Sequence, residues 1–161
     1  MKKPFREYTC AVCGKKIPVE DGMLHWLQKK TNDNDSSSLE TLVDIHICCR
    51  RKPCNRVFEN RAINEGLHEQ WDHLDSFVGV DKLDNILTFP IERIIPRELY
   101  KEFLDVLRRL TLPYYEEARQ FFSRAEYDGY IENVSARQDG YISWEPQTLK
   151  NIIAEYVDEE Q

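Results

Sequence analysis

The residues best suited to chemistry are five cysteines and one histidine in the first 54 positions. Cys10 and Cys13 are two residues apart and are followed by Gly14; further along come His46, Cys48, Cys49 and Cys54. Thiolates are soft donors, and two of them spaced C-x-x-C can reach one cation from a tight turn. Glycine after the second cysteine gives that turn a backbone conformation that other residues resist. The chemistry implied is metal ligation, and for four-coordinate sulfur sites the metal is Zn2+. One structural ion is expected.

A structural zinc site is tetrahedral, so four ligands are drawn from six candidates. Cys10, Cys13 and Cys54 are chosen first. Cys49 is the preferred fourth, because Val43, Ile45, Ile47 and position 49 fall on one face of a strand. Cys48 is the first alternate and His46 the second.

The elements that must position these residues follow from periodicity. Asp21-Gly22 signals a turn, and Met23 to Lys30 reads as a strand with Leu24 and Trp26 on one face. Residues 31–38 are polar and read as a hairpin tip. Leu39 to Cys48 reads as a second strand, alternating apolar and polar residues. Lys52-Pro53-Cys54 opens a helix that runs to about Asn64 and stops at Gly66. After it, short helical segments are expected near 67–77 and 81–88, the second with Asp81 as N-cap.

Clearer helices then begin at Pro96 and Pro113. Leu99, Phe103, Val106, Leu107 and Leu110 form the apolar stripe of the first. Tyr114, Ala118, Phe121, Phe122 and Ala125 mark the buried face of the second. Asp128-Gly129-Tyr130-Ile131 recurs as Asp139-Gly140-Tyr141-Ile142, a string too short to be a structural repeat. A last helix spans Pro146 to Val157, with Leu149, Ile152, Ile153 and Tyr156 inward, and the final four residues are expected to fray. The fold class is α+β: a zinc-stabilised β-hairpin plus helix over residues 1–66, then a mostly helical region over 67–161. Trp71, Leu74 and Phe77 are candidates to pack the two regions into one unit.

A hairpin between two ligand groups, with the last ligand in a first helical turn, resembles the treble-clef group of zinc fingers, which includes LIM-like modules. The resemblance covers about residues 8–66 and concerns fold plan and ligand spacing. Asp72-His73 resembles the start of the HNH nuclease motif. In that family, however, the catalytic His lies between the cysteine pairs, and here Asp72-His73 follows both clusters.

Charge divides the chain. Residues 1–66 carry 12 Lys plus Arg against 9 Asp plus Glu, and the remainder 10 against 20, so the two parts bear +3 and −10. The acidic part repels phosphate, which leaves Arg50, Arg51, Lys52, Arg56 and Arg61 as the candidate nucleic-acid patch. No Gly-rich phosphate loop, nucleophile elbow or Ser-His-Asp arrangement occurs. The expected role is therefore a non-enzymatic interaction or regulatory protein that binds a protein partner or itself. A nucleic-acid-binding regulator is the alternative, and an HNH-like nuclease ranks below it. No apolar run is long enough for a membrane span, and with no apolar stretch behind the basic first residues no secretory leader is expected. Five cysteines without such a leader suit a reducing compartment, the cytoplasm.

Overall fold

The computed structural model describes residues 4–29, 39–131 and 144–157. The expected hairpin tip at 31–38, the second Asp-Gly-Tyr-Ile string and the last four residues lie outside the described residues. The fold is α+β, and the chain divides into two compact units, residues 1–111 and 112–161. The boundary expected at 66/67 falls inside the first unit.

The first unit opens with a small hairpin, β1 (Glu7–Thr9) and β2 (Lys16–Pro18). The long hairpin follows, β3 (Gly22–Lys29) and β4 (Glu40–Cys49), and then helix α1 (Lys52–Glu65). Pro53 sits in the first turn of α1, where its missing N–H costs nothing. Gly66 ends the helix at φ 65°, and the Leu67 amide turns back to the Ala62 carbonyl.

The next segment differs from expectation. Residues His68–His73 form a strand, β5, antiparallel to β3 along its whole length. His-Glu-Gln-Trp-Asp-His has no apolar alternation, so its strand character comes from the backbone ladder and not from burial. Trp71 accordingly stands 52% exposed, whereas Leu74 and Phe77 enter the core of this unit. Helix α2 (Leu83–Glu92), the two-residue strand β6 (Arg93–Ile94) and helix α3 (Tyr100–Thr111) complete it. Asp81 does not cap α2: it lies in a 3-10 turn, Val80–Lys82, just ahead of the helix. The stripe on and just before α3 is buried, with Leu99, Phe103, Val106 and Leu110 all inside.

The main sheet has the order β5-β3-β4-β6. Both faces of β3 are covered, which is why Gly22 through Gln28 are all buried. On one face His25 and His46 stand opposite each other in register and both lie against Phe58 of α1. On the other, Trp26 meets Phe89 of α2 edge-on at 4.9 Å, and Phe89 meets Phe103 of α3. Each large apolar side chain fully buried in these layers stabilises the fold by about 1.5–3 kcal/mol. The alternation expected in β4 breaks at one place. Leu27 pairs with Asp44 and Gln28 with Leu42, so Val43 is a bulge, and Leu42 takes the buried position instead.

The second unit contains α4 (Tyr115–Ala118), α5 (Phe122–Tyr127) and α6 (Pro146–Val157). The single helix expected from Pro113 is instead two short ones joined by a 3-10 turn, Arg119–Phe121. It starts late because Tyr114 takes a left-handed conformation at φ 69°. That places Tyr115, not Tyr114, in the core with Ala118, Phe121, Ala125, Leu149, Ile152 and Tyr156. Among the described residues no helix is long and apolar enough to cross a membrane.

Candidate metal centre

Three elements converge at one end of the main sheet. The turn between β1 and β2 carries Cys10 and Cys13. Gly14 closes it at φ 68°, donating its amide to the Cys10 carbonyl, while the Cys10 amide donates to the Lys15 carbonyl. The turn is docked on β4 by the Ala11 amide, which donates to the Ile47 carbonyl at 2.9 Å. Cys49 ends β4. Cys54 lies in the first turn of α1, where its amide reaches the Arg51 carbonyl.

The sulfurs of Cys10, Cys13, Cys49 and Cys54 lie within 4.8 Å of one another, with Cys13 and Cys49 at 4.0 Å. Tetrahedral ligation at metal–sulfur bonds of about 2.3 Å puts the sulfurs about 3.8 Å apart, so a small contraction closes the set around one ion. The four cysteines are therefore able to hold one metal ion. Cys10, Cys49 and Cys54 are buried, and Cys13 is exposed. Among the described residues no other group of three or more His, Cys, Asp or Glu side chains converges in this way.

Cys48 and His46, the two alternates, stand apart from the four. Cys48 pairs with Met23 and points to the opposite face of β4 from Cys49. It is wholly buried, and burial pushes its thiol up to about 12. His46 has its Nε2 2.6 Å from Asp44 Oδ1.

The bare thiols are not equivalent. Burial works to raise Cys10, but the amides of Cys13, Cys49 and Val12 outweigh it and bring the group down to about 7. The Cys49 amide is 3.4 Å from Cys10 Sγ, a direct contact of this kind. Burial raises Cys49 and Cys54 instead. Cys10 thus ionises ahead of Cys49 and Cys54, and a bound cation would supply the charge that draws those two after it.

The basic patch is altered by the fold. Arg50, Arg51, Lys52 and Arg56 are exposed around the start of α1, and Lys15 and Lys16 are exposed on the β1–β2 hairpin. Arg61 does not join them: its guanidinium bonds Asp44 and, at 2.9 Å, Glu65. Asp72 and His73 are the last two residues of β5, opposite Leu24 and Met23, and do not belong to the cysteine group.

A second polar cluster escaped the sequence reading. His25 is wholly buried, with Nε2 2.7 Å from Glu69 Oε1 and its ring stacked 4.3 Å from Phe58. The only sequence signal for it was a histidine inside an apolar strand. Comparison of the chain with protein-family models, with curated proteins and with solved structures finds no match.

Proposed function

We propose that the chain is a non-enzymatic interaction or regulatory protein whose first unit is stabilised by one structural zinc ion. The observation that carries this reading is the convergence of four cysteine sulfurs from three separate elements. Four thiolates fill a tetrahedral zinc shell and leave no position for a water or substrate, unlike catalytic zinc, which keeps one open. The turn bearing Cys10 and Cys13, the β3–β4 hairpin and the first turn of α1 support the treble-clef plan. With catalysis set aside, recognition of another macromolecule remains, and a protein is the preferred partner. The excess of carboxylates after residue 66 disfavours phosphate there.

Exposed Arg50, Arg51, Lys52 and Arg56 support the second reading, a nucleic-acid-binding regulator. It requires affinity that falls steeply with salt and weakens when Arg50 and Arg51 are replaced.

Metal analysis tests the main reading. One zinc per chain is expected, lost in Cys10→Ser and Cys54→Ser together with the folding of the first unit. Structural zinc sites contribute on the order of 10 kcal/mol to folding. Cobalt substitution should give the intense visible absorption of a tetrahedral thiolate site. Substoichiometric zinc, or the weak spectrum of a five- or six-coordinate ion with bound water, would overturn it.

A further inference from the structure

We propose that β5 is the docking edge for a second copy of this chain, the two β5 strands pairing antiparallel about a two-fold axis at Trp71. The inference rests on the reading of the chain as an interaction protein and names its partner. The main sheet has two edges among the described residues. The β6 edge is two residues long and offers almost no template. The β5 edge is six residues long and pairs with β3 without any register shift, so its outer side is a regular row of backbone donors and acceptors.

Natural edges are usually blunted by lysine, proline, a bulge or a covering element. His68–His73 contains neither lysine nor proline, and five of its six residues are exposed. Trp71 is half exposed, and its ring lies edge-on to His73 at 6.0 Å.

The side chains select the register. Pleating requires that residues facing each other across the pair point to the same side. With the axis through a residue, four centres between Glu69 and Asp72 are available. Centring on Glu69 or on Asp72 sets like carboxylates against each other, which is destabilising. Centring on Gln70 faces Trp71 with Glu69. Centring on Trp71 places indole against indole, and on both sides sets the Glu69 carboxylate opposite the His73 imidazole. An imidazole carries a donor N–H in either protonation state, so that pair is complementary. Gln70 then faces Asp72, an amide donor against a carboxylate. Pairing also draws on the His73 amide, now held by Asp72 Oδ1 at 2.7 Å. The product is one continuous eight-stranded sheet, an isologous interface of the kind two-fold dimers use.

Sedimentation of the zinc-loaded full chain across sub-millimolar concentrations is the test. A reversible dimer is expected. Trp71→Lys and His73→Glu, each checked for native circular dichroism, should weaken it at least about tenfold, since lysine on an edge and a carboxylate opposite Glu69 both oppose pairing. Trp71→Cys should give a disulfide-linked dimer under mild oxidation. A wild-type chain that stays monomeric, or a dimer unchanged in Trp71→Lys, would overturn the proposal. Zinc content is read separately on the same samples, so a failed dimer with one zinc per chain refutes this edge and leaves the metal centre intact.

Discussion

His25 Nε2 and Glu69 Oε1 lie 2.7 Å apart, joining a wholly buried imidazole on the central strand to a carboxylate on the edge strand. The other ring nitrogen, Nδ1, is buried with no hydrogen-bond partner among the described residues. A neutral imidazole that donates from Nε2 leaves Nδ1 a bare acceptor beside Phe58, which is tolerable. A protonated one would bury an N–H with nothing to receive it. Burial accordingly lowers the His25 pKa below its ordinary 6.5, against the opposing pull of Glu69.

The consequence for stability has a definite sign. Well above pH 6.5 the imidazole is neutral both folded and unfolded, and this group takes nothing from native stability. As pH falls below 6.5 the unfolded chain takes up a proton that the folded chain refuses, and stability drops until the lowered native pKa is reached. One proton sets a ceiling of about 1.4 kcal/mol per pH unit. Urea midpoints for wild type and His25→Phe, compared at pH 8 and at mildly acidic pH, check this. The wild type should lose more on acidification. Phenylalanine keeps the contact with Phe58 and removes the titration, and acid release of metal affects both proteins alike. Parallel pH profiles would refute the assignment.

Gly22 makes a second prediction, one of close approach. It stands opposite Cys49 in the β3–β4 ladder, and a Cβ built on it would lie 2.6 Å from Leu74 Cδ2 and 3.1 Å from Leu74 Cβ. Leu74 is wholly buried, so it has little room to yield. Gly22→Ala should destabilise the first unit by about 1–3 kcal/mol, the usual cost of overpacking. Leu74→Ala added to it should restore part of the loss relative to additivity, because the clash and the cavity offset each other. A double-mutant cycle by urea denaturation measures this coupling, and simple additivity would show that the two residues do not press on each other.

What could be read from the sequence was what local spacing dictates. The C-x-x-C turn, the long hairpin and the helix from Lys52 to Glu65 each carry their own signal: cysteine pairs, alternation, and proline and glycine at the helix ends. The helices Tyr100–Thr111 and Pro146–Val157 were legible from apolar stripes for the same reason. What was not legible depends on pairing between distant residues. Strand β5 has no apolar pattern and exists because β3 offers it a ladder. The Val43 bulge is a property of two strands together, and so one-strand periodicity could not show it. Arg61 looked like part of a basic patch until the fold set it beside Asp44, 17 positions away. His25 and Glu69 are 44 positions apart, and neither residue alone signals a buried pair.

Cys48 and Cys49 are adjacent in sequence and opposite in role, and this gives the last prediction. Strand pleating turns neighbouring side chains to opposite faces. Cys49 joins the sulfurs of Cys10, Cys13 and Cys54, while Cys48 is enclosed on the face that carries His25. Cys48→Ala therefore removes only a small buried group and should cost about 1–2 kcal/mol, with the metal-to-protein ratio unchanged. Cys49→Ala removes a ligand, and that ratio should fall together with cooperative unfolding of the first unit. The contrast is informative because the substitutions are chemically identical and one residue apart. Metal analysis and urea titration of the two proteins side by side decide it. Loss of metal in Cys48→Ala but not in Cys49→Ala would mean that the strand runs in the opposite phase and that Cys48 is the ligand.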